Sequence, residues 1–158
     1  MNRIAYILVG VPGSGKSTWV ENNREWTQDC SIISTDYHID GFAESLDKTY
    51  SEVFEEYMPK AIQMMVDDVA TARNYGFNIV WDQTSTTVAS RAKKFRMLPE
   101  YRHIAVVFPT PPLDELQRRL SSRPGKHIPD SVIENMIKGF VYPTKEEGYD
   151  EIWNAVNN

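Results

Sequence analysis

The sequence predicts an α/β fold built on a parallel β-sheet, and three observations carry that prediction. Five short apolar runs, rich in Ile and Val, recur without a clean polar–apolar alternation. Helical patterns separate them. The first run passes directly into a glycine-rich loop that opens a helix. Strands covered on both faces read as continuous apolar runs. Their alternation with helices implies right-handed crossovers and a parallel sheet.

The elements follow in order. Ile4 to Val9 (IAYILV) is the first strand, and a helix from Lys16 to about Glu25 begins inside the glycine-rich loop. Ser31 to Thr35 (SIIST) is the second strand. The widest interval between strands, Tyr37 to Tyr75, carries Asp40, Glu44, Asp47, Glu52, Glu55 and Glu56. Most of it reads as a solvated helical surface, and it is the natural place for a substrate-holding insertion. Ala61, Ile62, Met65, Val66 and Val69 recur there at helical spacing, with Gly76 just beyond the helix. Asn78 to Asp82 (NIVWD) is the third strand. A helix from Val88 to Leu98 is ended by Pro99. His103 to Phe108 (HIAVVF) is the fourth strand, and Leu113 to Ser122 is a helix after a proline-marked turn. Ser131 and Glu134 match the capping box S-x-x-E and open a helix bearing Ile133, Met136, Ile137 and Phe140 on one face. Glu151 to Val156 (EIWNAV) is the fifth strand.

The chain of 158 residues, with neither repeat nor linker, suits one domain over 1–158. Its apolar share of 41% and charged share of 25% are those of a globular protein. The single cysteine, Cys30, allows no disulfide or zinc cluster within the chain and reads as a packing residue in a reducing compartment. No apolar stretch approaches the ~20 residues that span a bilayer. The opening MNRIAYILVGVPG lacks a small-residue cleavage site and reads as a strand, not a secretory signal. The expected location is therefore cytoplasmic, with no membrane partner. The net charge of −5 argues against coating nucleic acid with a broad basic face, but leaves room for a local basic groove.

Gly10-Val11-Pro12-Gly13-Ser14-Gly15-Lys16-Ser17 matches G-x-x-x-x-G-K-[ST] in full, with a strand before it and a helix after it. Glycines let backbone N–H groups turn inward around a phosphate, and the following helix adds its positive end. Gly10, Pro12, Gly13, Ser14, Gly15, Lys16, Ser17 and Thr18 are thus the expected ATP-binding residues. Lys16 would reach the β- and γ-phosphates, and Ser17 would ligate Mg²⁺.

A GTPase switch would need a guanine-reading N-K-x-D stretch, which is absent, and an oligomeric motor usually carries a second subdomain. A small kinase needs only a metal aspartate, a base for the attacking hydroxyl, and cations over the transferred group. Asp36, in IISTDYH, would end the second strand on the rim where open α/β sheets bind ligands, and could take a hydroxyl proton. The alternative is an aspartate that merely turns the chain. Asp82, ending NIVWD, is a Walker-B-like candidate for the metal. Gln83, Thr84 and Ser85 could meet substrate or simply form the turn before a helix. Arg118, Arg119, Arg123 and Lys126 make the clearest basic cluster, with Arg119 and Arg123 on one helix face and Pro124-Gly125 as a possible hinge. As a lid they would offset transition-state charge; otherwise they form an exposed basic helix. His38, His103 and His127 are not spaced as metal ligands. His103 reads as a strand residue, and the other two read as surface groups that could also line a site. Trp19, Trp26, Trp81 and Trp153 read as packing residues.

The combination GVPGSGKSTW, STD, DQT, RRLSSRPGKHIP and GFVYPTKEEGYDEI resembles the small P-loop kinases typified by the kinase domain of bacteriophage polynucleotide kinase. Zeta-toxin and chloramphenicol phosphotransferase kinases are more distant relatives. The resemblance runs from the first strand to the last. It implies a five-stranded parallel sheet of order 2-3-1-4-5 and an arginine-bearing lid over about residues 113–130. It places Asp36 where these kinases have their general base, Asp82 on the aspartate after the third strand, Arg123 on the catalytic lid arginine and Arg119 on another lid arginine. One position departs. Three residues beyond the base these kinases carry an arginine that grips a phosphate of the acceptor strand, and here that residue is Ile39.

The expectation is an ATP- and Mg²⁺-dependent kinase acting in line on a hydroxyl of nucleic acid, as in a 5′-end kinase. Rival acceptors are the hydroxyl of a hydroxymethylated base in phage DNA, which would set the protein in a host cytoplasm, or a small molecule such as a nucleoside, sugar nucleotide or antibiotic. The rival of another class is a nucleotide-binding module without transfer. Oligomeric state has no signature in the sequence.

Overall fold

The computed structural model describes residues 3–155. Its sheet holds β1 (Ile4–Val9), β2 (Ser31–Ile33), β3 (Ile79–Trp81), β4 (Arg102–Val107) and β5 (Glu151–Asn154) in the order β2-β3-β1-β4-β5. Every neighbouring pair is parallel, and Ala5 at the centre stands opposite Ile79 on one side and His103 on the other. The helices are α1 (Lys16–Asn22), α2 (Arg24–Thr27), α3 (Thr35–Ser45), α4 (Tyr50–Tyr75), α5 (Val88–Met97), α6 (Leu113–Ser121) and α7 (Asp130–Lys138). This is the sheet order expected of a P-loop kinase.

Both faces of the sheet are covered, which explains the unbroken apolar runs. Ile7, Val9, Ile33 and Trp81 pack beneath α4 and α5, against Met65, Val69 and Leu98. Tyr6, Leu8, Val80 and Val106 face α1 and α2, against Trp19 and Trp26. The tryptophan expectation holds there: Trp26 meets the Tyr6 ring, and Trp19 meets Phe108 edge-on. Cys30 packs beside them, and burial pushes its thiol up to about 11.

Several boundaries differ from the sequence reading, each for a local reason. Thr35 and Asp36 do not end a strand. The Ser34 hydroxyl accepts the Asp36 N–H at 3.1 Å, caps α3, and places Asp36 in the first turn of a helix. The first helix breaks at Asn23, whose side chain donates back to Trp19 O, and α2 follows as a separate turn. The box at Ser131 does not form, because α7 already begins at Asp130 behind Pro129. Thr49 and Glu52 make a capping box instead, at the head of α4. The last strand is Glu151–Asn154; Val156 lies outside the described residues. Among the described residues no helix is long and apolar enough to cross a membrane.

Ile39 is fully buried, in a small core that α3 and α4 share with Ala43, Val53 and Ala61. The position facing away from solvent thus holds no cation. A second buried feature fixes the segment after β3. Arg91, fully buried on α5, donates from Nε and Nη2 to the two Glu147 carboxylate oxygens at 2.9 and 3.1 Å, and from Nη1 to Ser85 O at 2.9 Å. Removing one partner of such a pair leaves a buried charge unmatched, so Arg91→Ala should lower unfolding stability by about 3–5 kcal/mol, read by urea denaturation. A loss below about 1 kcal/mol would mean that the pair does not organise this segment.

Candidate active site

A cleft of about 730 Å³ opens at the carboxyl ends of β1, β2 and β3. In parallel α/β sheets this edge gathers loop amides and helix N-termini on one side. The glycine-rich loop forms its floor. Gly13 and Gly15 adopt φ of +83° and +101°, which only glycine accepts without strain. Gly10 is needed for closeness: a Cβ there would lie 2.5 Å from Ser14 Oγ and 2.9 Å from Phe108 Cβ. The Gly10 N–H donates to Thr84 O, joining the loop to the turn after β3.

Lys16 is 9% exposed, and its Nζ donates to Gly10 O at 3.0 Å and Val11 O at 2.9 Å. Burial lowers its pKa to about 8, against the opposing pull of Asp82. Ser17 Oγ donates to Asp82 Oδ2 at 3.0 Å, and Tyr37 Oη approaches the same oxygen at 3.4 Å. Burial raises the Asp82 pKa, while Lys16 and the Ser17 hydroxyl oppose it. Among the described residues no group of three His, Cys, Asp or Glu could close around a metal. A hydroxyl beside one carboxylate instead fits Mg²⁺, which retains waters and takes its other ligands from phosphate.

Asp36 faces the cleft from α3. Its Oδ1 accepts Tyr50 Oη at 2.6 Å and its Oδ2 accepts Lys126 Nζ at 2.9 Å. Burial alone would raise its pKa, but the Lys126 charge, those two hydrogen bonds and Lys16 together hold it below the usual carboxylate range. Lys126 also lies 4.3 Å from the centroid of the Tyr50 ring.

The α6–α7 segment distributes its cations unevenly. Arg123 and Lys126 line the cleft. Arg119 donates to Glu115 and, from Nη1, to Gly13 O at 2.9 Å, which ties α6 to the loop. Arg118 pairs outward with Glu115. Pro124-Gly125 follows the end of α6, with Gly125 at φ +71° against Thr49. The Ser51 N–H donates to Gly125 O, and the His127 N–H to Ser51 Oγ, so the turn rests on the head of α4.

The structure therefore gathers Gly13, Lys16, Ser17, Asp36, Asp82 and Arg123 in one cleft and leaves Arg119 at the loop's outer edge. His127 lines the cleft, while His38 pairs with Asp68 Oδ2 at 2.6 Å and His103 is buried beside Leu98 O. Gln83 is engaged by Trp81 and Thr35. Tyr37, Tyr50 and Lys94 also line the cleft and carry no motif. Only Tyr50 had a usable signal, its position just after the Thr49 cap of the longest helix.

The family model described as AAA domain (AAA_33) matches residues 6–143, and the chain belongs to that family. Its fold is similar to a chain of the Pnkp1/Rnl/Hen1 RNA repair complex, with 24% identity and a TM-score of 0.70 over 87% of this chain and 44% of that one. This chain thus spans under half of that relative. It is similar to a candidate kinase from Chloroflexus aurantiacus, with 18% identity and a TM-score of 0.73 over 98% and 85%. Shikimate kinase from Acinetobacter baumannii follows at 14% identity and a TM-score of 0.56, over 100% and 86%. The likeness is one of fold, that of the P-loop kinases.

The Lys16 environment gives a pH signature. The ammonium is the form that attracts phosphate, so nucleotide affinity should weaken as pH rises above about 8, by up to about tenfold per unit. Calorimetric titration across pH would read it. Lys16→Arg should abolish this alkaline limb, since a guanidinium keeps its proton there. An unchanged limb in that variant would assign it to another group.

Proposed function

We propose that this chain is an ATP-dependent kinase that transfers the γ-phosphate to a hydroxyl held at Asp36, and that the hydroxyl belongs to a nucleic-acid strand end. One observation carries the reading: two cleft carboxylates are pushed in opposite directions. Asp82 is set beside the Ser17 hydroxyl with its pKa raised, and Asp36 is held ionised across the cleft by Lys126 and Tyr50. Environments that separate two titratable groups mark different roles.

In this reading Gly10, Pro12, Gly13, Ser14, Gly15 and Thr18 shape the loop around the phosphates, and Lys16 pairs with their charge. Ser17 and Asp82 would hold Mg²⁺ with its waters; the ion neutralises charge on the β- and γ-oxygens when bound. Asp36 orients the acceptor hydroxyl with a lone pair left free by Tyr50 and Lys126. The acceptor oxygen bonds to γ-phosphorus as the bond to the β–γ bridging oxygen breaks, ADP leaves, and the hydroxyl proton passes to Asp36. Because the phosphoryl transition state is loose, positioning matters more than base strength, and a low pKa is no obstacle. Residues 113–130 act as a lid in a single domain. Arg123 faces the transferring group, and Arg119 couples lid to loop through Gly13.

The strand-end acceptor draws support from the RNA repair complex and a fungal RNA kinase among similar structures. A small-molecule hydroxyl is the second reading, favoured by Ile39, whose burial leaves no side chain there to grip a strand. Transfer from labelled ATP to 5′-hydroxyl DNA, 5′-hydroxyl RNA, hydroxymethylated duplex DNA, nucleosides and polyhydroxy acids separates them. Label on the strand ends supports the proposal; label only on small acceptors replaces its second half.

Asp36→Asn should lower kcat by about 10²–10⁴-fold with ATP affinity nearly unchanged. Turnover within twofold of wild type would remove Asp36 as the base. Arg123→Ala should lower kcat more than ATP affinity, because its cation acts on charge that develops during transfer. Equal losses in both would make Arg123 a simple binding group.

A further inference from the structure

A fourth cation lines the cleft beside Lys16, Arg123 and Lys126. Lys94, on α5, is only 6% exposed. Its Nζ lies 5.2 Å from the centroid of the Trp81 ring and makes one long hydrogen bond, to Ser90 O at 3.4 Å. Among the described residues no carboxylate stands among the groups that bear on it. The charges that do, Lys93 and Arg91, repel it, and Arg91 is itself committed to Glu147. A buried ammonium without an anion is an unfavourable arrangement that folding alone does not favour.

The same segment supplies a second orphan group. Ser85 is 2% exposed and lines the cleft, and among the described residues its hydroxyl has no hydrogen-bond partner. Its φ of +47° is uncommon for a residue with a Cβ, and Arg91 holds it there through the Ser85 carbonyl. A strained, unsatisfied hydroxyl and an unpaired ammonium thus belong to one wall, between β3 and α5.

Lys94 stands apart electrostatically from the groups assigned to ATP. The charges that bear on Lys16 are Asp82, Arg123, Asp36 and Lys126, so these four share one electrostatic field with the loop. Lys94 answers to a different set. In the kinase reading Lys16 and Arg123 serve the phosphates and Lys126 holds Asp36, which leaves Lys94 as the cleft cation available to the acceptor.

We infer that Lys94 and Ser85 form a subsite for an anionic group, a phosphate or a carboxylate, carried by the acceptor molecule itself. The word acceptor rests on the kinase reading; the anion site does not. The ammonium supplies charge and up to three donors, and the Ser85 hydroxyl donates a further hydrogen bond. The substrate class is narrowed to molecules that carry a hydroxyl and an anion together, such as a nucleoside 3′-phosphate or a polyhydroxy acid, rather than neutral sugars and nucleosides.

The test is calorimetry on the full chain, saturated with a non-hydrolysable ATP analogue and Mg²⁺. The probes are thymidine 3′-phosphate against thymidine, and gluconate against glucose. Wild type should bind one anionic probe at least about tenfold more tightly than its neutral partner, and which one identifies phosphate or carboxylate. Lys94→Met should erase that preference, Lys94→Arg should keep most of it, and Ser85→Gly, which suits the positive φ, should weaken it by about threefold. Affinity for the ATP analogue should stay the same in all three. Lys94→Met should also match or exceed the wild-type Tm at neutral pH, since it removes a buried charge. No preference in wild type, no binding of either anion, or a preference that survives Lys94→Met would overturn the inference. Preference without phosphoryl transfer to any acceptor would overturn the kinase reading and leave the subsite standing.

Discussion

The cleft depends on how closely the chain can pass at Gly10. That residue leaves the central strand, sends its N–H to Thr84 after β3, and gives its carbonyl to Lys16. It also passes against Phe108, just beyond β4. A single side-chain carbon at this point would collide with the loop and with the neighbouring strand's exit. The absence of a Cβ therefore brings three strand ends together. Without that approach the Lys16 ammonium would lose its carbonyl seat, and Ser17 would not meet Asp82.

Electrostatically, the cleft reverses the character of the chain. The whole carries a net charge of −5, yet Lys16, Lys94, Arg123 and Lys126 line one cavity against Asp36 and Asp82. Buried lysines at such a density disfavour the folded state, as the lowered pKa values of Lys16 and Lys94 register. For a base whose folded pKa lies below its unfolded one, stability is reduced at neutral pH and recovers as pH climbs from the folded value toward the unfolded one. In the proposed function, anions that arrive with ligands would match these cations.

Much of this was legible in the sequence because it rests on short-range rules. The apolar runs match all five strands to within two residues at either end, and the glycine motif locates the loop. Asp36, Asp82 and Arg123 line the cleft as expected, Asp82 directly after β3 and Asp36 in the first turn of α3 rather than at a strand end. What escaped depended on contacts distant in the chain. IIST is β-branched and looks like a continuing strand, but the Ser34 hydroxyl turns it into a helix start. Tyr50 reaches Asp36 only because α4 folds back along α3. Lys94 looks like one of many basic residues on an amphipathic helix, and its burial arises from Trp81 lying under α5. Ile39 departs from the related kinases at a position that the fold turns toward a core, which no local pattern reveals.

Cys30 has a practical consequence. It is the only thiol in the chain, half-buried, with a pKa near 11. At neutral pH very little of it is thiolate, the form that reacts with maleimides and spin-label reagents. Cysteines introduced at exposed sites such as Ser122 and Glu55 would take a label first, with the native residue left in place. The distance between the end of α6 and the head of α4 could then be followed, as nucleotide is added, in an otherwise unaltered chain.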